Sequence, residues 1–93
     1  MDRETTVLFL EKAEQLKAAA AWSRDAARNC RENARTCRGY ANDVRQLRFH
    51  GVDVELAVTL DDHALRLDDD AARFDREAGE LLQVAQLLTQ ASE

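Results

Sequence analysis

The chain has 93 residues, of which 45% are hydrophobic and 33% charged, and its formal net charge is −5. Proline is absent and glycine occurs three times, a composition typical of a helical protein. The length excludes more than one small domain. No apolar run reaches the roughly 18 residues that a membrane span requires.

The first half of the chain predicts one long helix. Alanine recurs every seven residues from Ala13 to Ala41, and a second, mostly apolar series lies four residues before or three after each alanine. Spacings of three and four over several heptads are the pattern of a coiled-coil seam. We therefore expect a helix over residues 3–49, with Asp2 or Thr5 as its N-cap.

A turn is expected at residues 50–53, because Gly51 tolerates the left-handed backbone conformation that ends helices. Asp53 is suited to cap the helix that follows. The alanine series and the second apolar series both return after the turn. A second helix is therefore predicted over residues 54–91.

The predicted fold is all-α: a single domain of residues 1–93 in which two helices form an antiparallel coiled-coil hairpin with an alanine seam. In an antiparallel hairpin the sequence numbers of any two facing residues add up to the same total, and the alanines of the two halves meet this condition. Oppositely charged pairs beside the seam meet it as well, namely Arg45 with Asp61, Arg38 with Asp68 and Arg31 with Asp75. Exposed pairs contribute only about 0.2–1 kcal/mol each, so their expected role is to fix the register.

The predicted hairpin does not bring together residues that could form a catalytic or metal-binding site. Cys30 and Cys37 lie two helical turns apart, about 10 Å along the axis, which is too far for a disulfide. We expect them to be buried in the seam, with a redox or metal role as the alternative. His63 lies near aspartates, but the Glu-x-x-His spacing of di-iron bundles does not occur. We therefore expect no enzyme activity, no cofactor and no metal.

The two halves of the chain differ in charge. Residues 1–50 contain 10 Lys and Arg against 7 Asp and Glu, a net charge of +3, and residues 51–93 contain 3 against 11, a net charge of −8. Basic side chains form a stripe on the first helix, at Arg24, Arg28, Arg31, Arg35 and Arg38. Nucleic-acid binding, as by the small hairpin dimer ROP, is one hypothesis, although the facing aspartates and the net charge of −5 weigh against it.

Apolar side chains remain outside the seam at the end of the hairpin remote from the turn. A single hairpin leaves them in water, and apolar patches of this kind mark association surfaces. We expect a non-enzymatic protein–protein interaction module that forms a homodimer, built as a four-helix bundle, with another helical protein as the alternative partner. The predicted interface consists of Val7, Leu8, Leu10, Trp22, Leu82, Val84 and Leu87. A smaller apolar cluster is expected near the turn, at Leu47, Phe49, Val52, Val54 and Val58.

The Phe49-His50-Gly51 segment lies midway along the chain, between the two predicted helices. This layout resembles that of the WXG proteins, small helical hairpins exported as dimers by type VII secretion systems, with Phe in place of Trp. Small hairpin chaperones of type III secretion have a similar outline. The resemblance implies a secreted or secretion-associated hairpin, but the export signal Tyr-x-x-x-Asp/Glu after helix two is missing, because the one tyrosine is Tyr40. The N-terminus contains no signal-peptide core, so we expect a cytoplasmic protein or one exported without a cleaved signal.

Overall fold

A computed structural model of the chain describes residues 1–47 and 52–93. They form two α-helices, α1 over Arg3–Leu47 and α2 over Val52–Ala91, and the described ranges contain no strand. The all-α helical hairpin predicted from the heptads is confirmed.

The helix boundaries differ slightly from the prediction. Helix α2 begins at Val52, two residues before its predicted start, so Asp53 lies inside the helix instead of in front of it. Helix α1 is described as far as Leu47. The predicted turn with its Phe49-His50-Gly51 segment lies outside the described residues.

Helix α1 begins at an aspartate cap. The Thr5 backbone N–H donates to Asp2 Oδ1 at 2.7 Å, and the Thr6 N–H donates to the Asp2 carbonyl at 3.0 Å. The first bond satisfies an amide that the first turn of a helix leaves without an intrahelical partner, and the second is the first backbone bond of the helix itself. Asp2, and not Thr5, is therefore the N-cap. The bond from Thr5 also holds the pKa of the Asp2 carboxyl below its ordinary value, because it favours the charged form.

The buried core of the described residues consists of alanine alone. Ten alanines, five from each helix, are between 0% and 1% exposed, and none of the larger described side chains is fully buried. These alanines are Ala13, Ala20, Ala27, Ala34, Ala41, Ala57, Ala64, Ala71, Ala78 and Ala85. The second series, which includes Leu16, Leu67 and Phe74, is only half-buried.

The described chain divides into two compact units, each with one segment of α1 and one of α2. We call Met1–Ala26 with Arg73–Glu93 the terminal unit, and Ala27–Ala72 the central unit.

Candidate interaction surfaces

Ion pairs line one side of the central unit. Arg38 Nη2 donates to Asp68 Oδ2, and Arg45 Nη2 donates to Asp61 Oδ2 at 2.5 Å. Both pairs join α1 to α2 in the predicted antiparallel register, so two of the three register pairs are observed. Their side chains are 39–47% exposed, and at this exposure each pair contributes no more than about 0.2–1 kcal/mol. They specify alignment more than they add stability.

The remaining register residues and three arginines of the basic stripe are engaged within the chain. Arg31 and Asp75 each take part in an interaction, and their mutual pairing stays a prediction. Arg28 is also engaged, and Arg38 binds Asp68. Three of the five stripe arginines therefore have partners in the protein, which leaves fewer charges for phosphates.

A shallow apolar groove runs between the helices of the terminal unit. It is lined by Leu16 from α1 and by Glu77, Glu80, Leu81 and Val84 from α2. Leu16 and Leu81 belong to the half-buried second series. The groove therefore marks a side on which larger side chains next to the alanine core remain partly in contact with water.

Residues spaced by three and four along a helix are neighbours on its surface, so residues at these spacings continue the surface of the groove along both helices. We call the surface that results the open face. It consists of Lys12, Leu16, Ala19, Ser23 and Ala26 of α1, and Glu77, Leu81, Val84, Leu88 and Ala91 of α2. Glu80, which also lines the groove, lies on the edge of this face, and the charged side chains of the face itself are Lys12 and Glu77. Neither residue forms an ion pair within the described residues.

Large apolar side chains border the open face. Trp22 is 82% exposed, Leu8 is 63% exposed and Leu87 is 58% exposed. Each lies three or four residues from a member of the open face, and so on its edge. An indole this exposed leaves a large apolar area in contact with water.

The seven predicted interface residues do not all lie on one side of the terminal unit. Leu8, Trp22, Val84 and Leu87 belong to the open face or its edge. Of the other three residues, Leu10 and Leu82 lie on the opposite side, and Val7 lies on the outer surface of α1, where it lines one depression with Leu8. Val7 and Leu10 are exposed and Leu82 is half-buried. Leu10 is one heptad before Lys17, and Leu82 is one heptad after Asp75. Each leucine therefore lies on the same side of its helix as that charged residue.

The central unit carries a second exposed apolar stripe on α2. Val54, Val58 and Leu65 are 64%, 49% and 59% exposed. Sequence reasoning included Val54 and Val58 in the cluster near the turn but missed Leu65, whose seven-residue spacing from Val58 was the available signal. Phe49 of that cluster lies outside the described residues.

The candidate chemical residues do not form a reactive site in the described part of the chain. Cys30 and Cys37 are free and half-buried, so the expectation that the seam buries them was wrong: like the rest of the second series, they are only partly covered by the opposite helix. His63 lines a shallow depression with Asp62 and Arg66. Over residues 1–47 and 52–93, no group of three or more His, Cys, Asp or Glu side chains is placed to hold a metal ion.

No helix among the described residues is long and apolar enough to cross a membrane. Comparison of the chain with models of protein families, with curated proteins and with solved structures gave no match.

Proposed function

We propose that this chain is a non-enzymatic protein–protein interaction module that works as a homodimer, in which two hairpins associate as a four-helix bundle. The observation that carries the proposal is the contrast between core and surface. Among the described residues the fully buried side chains are all alanine, whereas leucine and phenylalanine side chains of both helices are half-buried or exposed.

This contrast has an energetic consequence. A buried methyl or methylene group contributes about 0.8 kcal/mol, and a fully buried leucine or phenylalanine about 1.5–3 kcal/mol. An alanine core uses only the smaller of these contributions. A second hairpin placed over Leu16, Leu81 and Leu88 covers the larger side chains and supplies the missing burial. Small helical domains commonly obtain stability through oligomerisation in this way.

Two-fold association suits the composition of the surface. In a two-fold dimer the same patch of both subunits meets, so the patch must be complementary to itself. The open face carries one positive and one negative charge, Lys12 and Glu77, among apolar and small side chains. Two copies of this face therefore bring together equal numbers of positive and negative charges, and Glu80 of each copy lies on the edge of the face, where it is exposed.

Light scattering after size-exclusion chromatography tests the proposal on the full chain. We expect a mass of twice the 10.5 kDa of the chain at micromolar concentrations, and a thermal midpoint that rises with protein concentration, as mass action requires of a dimer. A mass of 10.5 kDa at every concentration, with a constant thermal midpoint, would overturn the proposal.

A further inference from the structure

Resting on the proposed homodimer, we propose that the second copy docks on the open face of the terminal unit, antiparallel to the first, with the two-fold axis at the level of Ala19 and Val84. In this arrangement Lys12 of each copy pairs with the partner's Glu77. The proposal specifies one face, one orientation and one register.

The choice of face follows from the charged side chains that each side carries. On the opposite side, α1 carries the cations Lys17 and Arg24 one heptad apart, and removing such charges from water is costly. The open face instead presents the groove between Leu16, Leu81 and Val84, bordered by Trp22 at 82% exposure.

The choice of register begins with the apolar layers. In the hairpin alignment Leu16 lies level with Leu88, and Ser23 lies level with Leu81. An antiparallel two-fold axis midway between these levels places each Leu16–Leu88 layer against the partner's Ser23–Leu81 layer. Each of the two equivalent layers then contains three leucines and one serine, and the small serine leaves room for the leucines opposite.

Small side chains at the axis allow the helices to approach. The axis passes near Ala19, so Ala19 of one copy faces the partner's Ala19 across a short gap. Val84 meets the partner's Val84 on the other helix. Trp22 then lies beside the partner's Gln15 and Ala19, where its indole ring covers the small side chain and loses its contact with water.

Charge distinguishes this register from its neighbours. Within one chain Lys12 and Glu77 are about 22 Å apart along the helix axis, by a rise of 1.5 Å per residue, so they cannot pair. The two-fold axis brings Lys12 to the level of the partner's Glu77. A shift of one heptad in one direction places Lys12 against Ala19 and Val84, and a shift in the other direction places Glu77 there. Either shift buries an unpaired charge.

Complementation between two charge-reversed variants tests the pairing. A homodimer has two equivalent contacts between residue 12 of one copy and residue 77 of the other. In the Lys12→Glu homodimer both residues are acidic at each contact, and in the Glu77→Lys homodimer both are basic. We expect each single variant to raise the dissociation constant at least about tenfold, since facing like charges oppose association. In an equimolar mixture, a heterodimer of the two variants again places one acid against one base at both contacts. We expect the mixture to recover the wild-type constant to within about threefold.

The single tryptophan provides the readout in the same samples. Emission of Trp22 should move to shorter wavelength as wild-type protein is concentrated, remain at long wavelength in each single variant, and move again in the mixture. The matched control reverses Lys17 and Glu14, an exposed pair at 3.1 Å within α1 and outside the open face. Lys17→Glu and Glu14→Lys should leave the dissociation constant unchanged.

The outcomes separate this inference from the function on which it rests. A wild-type dimer that the Lys12 and Glu77 reversals do not weaken, or that mixing does not restore, overturns the face and register but leaves the homodimer standing. A wild-type chain that stays monomeric overturns both. Circular dichroism of each variant checks that helicity is retained, and recovery in the mixture shows that both single variants are folded.

Discussion

Alanine is the residue on which this hairpin depends, because among the described residues its methyl group is the only side chain that the two helices fully enclose. Facing methyl groups let helix axes approach more closely than the usual 8–10 Å or so. The same closeness leaves no room for the larger second series, so Leu16 and Leu81 remain half-buried. The burial of one series and the partial exposure of the other have a single steric cause.

Enlarging a buried alanine should therefore destabilise the protein. Ala34 is 0% exposed, and we expect Ala34→Leu to lower the free energy of unfolding by about 1–3 kcal/mol, the usual cost of overpacking. Ala18→Leu is the control, because Ala18 is exposed and leucine has nearly the same helix propensity. Urea unfolding of both variants measures the difference. Equal stability of the two variants would contradict a closely packed alanine core.

At the scale of the single helix, the cap at its end and the helix propensity of its residues determine how stable the helix is. The Asp2 carboxylate accepts from the Thr5 amide, and this bond lowers the pKa of Asp2 from its ordinary value of 3.8. Because the pKa of Asp2 is lower in the folded state than in the unfolded state, the cap contributes its whole stabilisation at pH values above the unfolded-state pKa. Its contribution is lost as the pH falls through the lower, folded-state value.

The titration of the cap can be followed by NMR. We expect the amide proton shift of Thr5 to change with pH along a curve whose midpoint lies below 3.8, because protonated Asp2 is a poorer acceptor. In Asp2→Asn the side chain still caps the helix but does not titrate, so this step should disappear. A midpoint at or above 3.8 in the wild-type protein would show that the cap does not favour the charged carboxylate.

Two glycines inside the helices lower helix stability without serving close packing. A methyl group added at Gly39 or Gly79 meets no atom within 4 Å. Gly39→Ala and Gly79→Ala should each raise the free energy of unfolding by about 0.5–1 kcal/mol, since alanine loses less backbone entropy in a helix. Chemical denaturation of the single and double variants checks the gain and its additivity. A loss of stability would show that these positions have a packing role.

At the scale of the whole molecule, the two units present different surfaces. In the central unit, Arg38 and Arg45 bind Asp68 and Asp61 and align the helices. In the terminal unit, the open face presents apolar side chains instead. In our proposal, ion pairs align the two helices of one chain, and burial of apolar side chains holds two chains together.

Two valines of nearly equal exposure allow the open face to be compared directly with another surface of the terminal unit. Val84 is 47% exposed on the open face, and Val7 is 46% exposed on the outer surface of α1. We expect Val84→Asp to make the chain monomeric, because it places two carboxylates next to each other at the two-fold axis. Val7→Asp should leave the dimer intact. Light scattering of the two variants at one concentration decides between the two surfaces, and the reverse result would place the interface around Val7.

The sequence by itself determined the two helices, the identity of the alanine series, and the Arg38–Asp68 and Arg45–Asp61 pairs. It could do so because helical periodicity turns spacing along the chain directly into position on a face. Only the tertiary structure decided that, of the described residues, alanine alone is fully buried and that Cys30 is only half-buried. Those properties depend on the distance between two helices and on what each covers in the other, which the pattern of either helix alone does not contain.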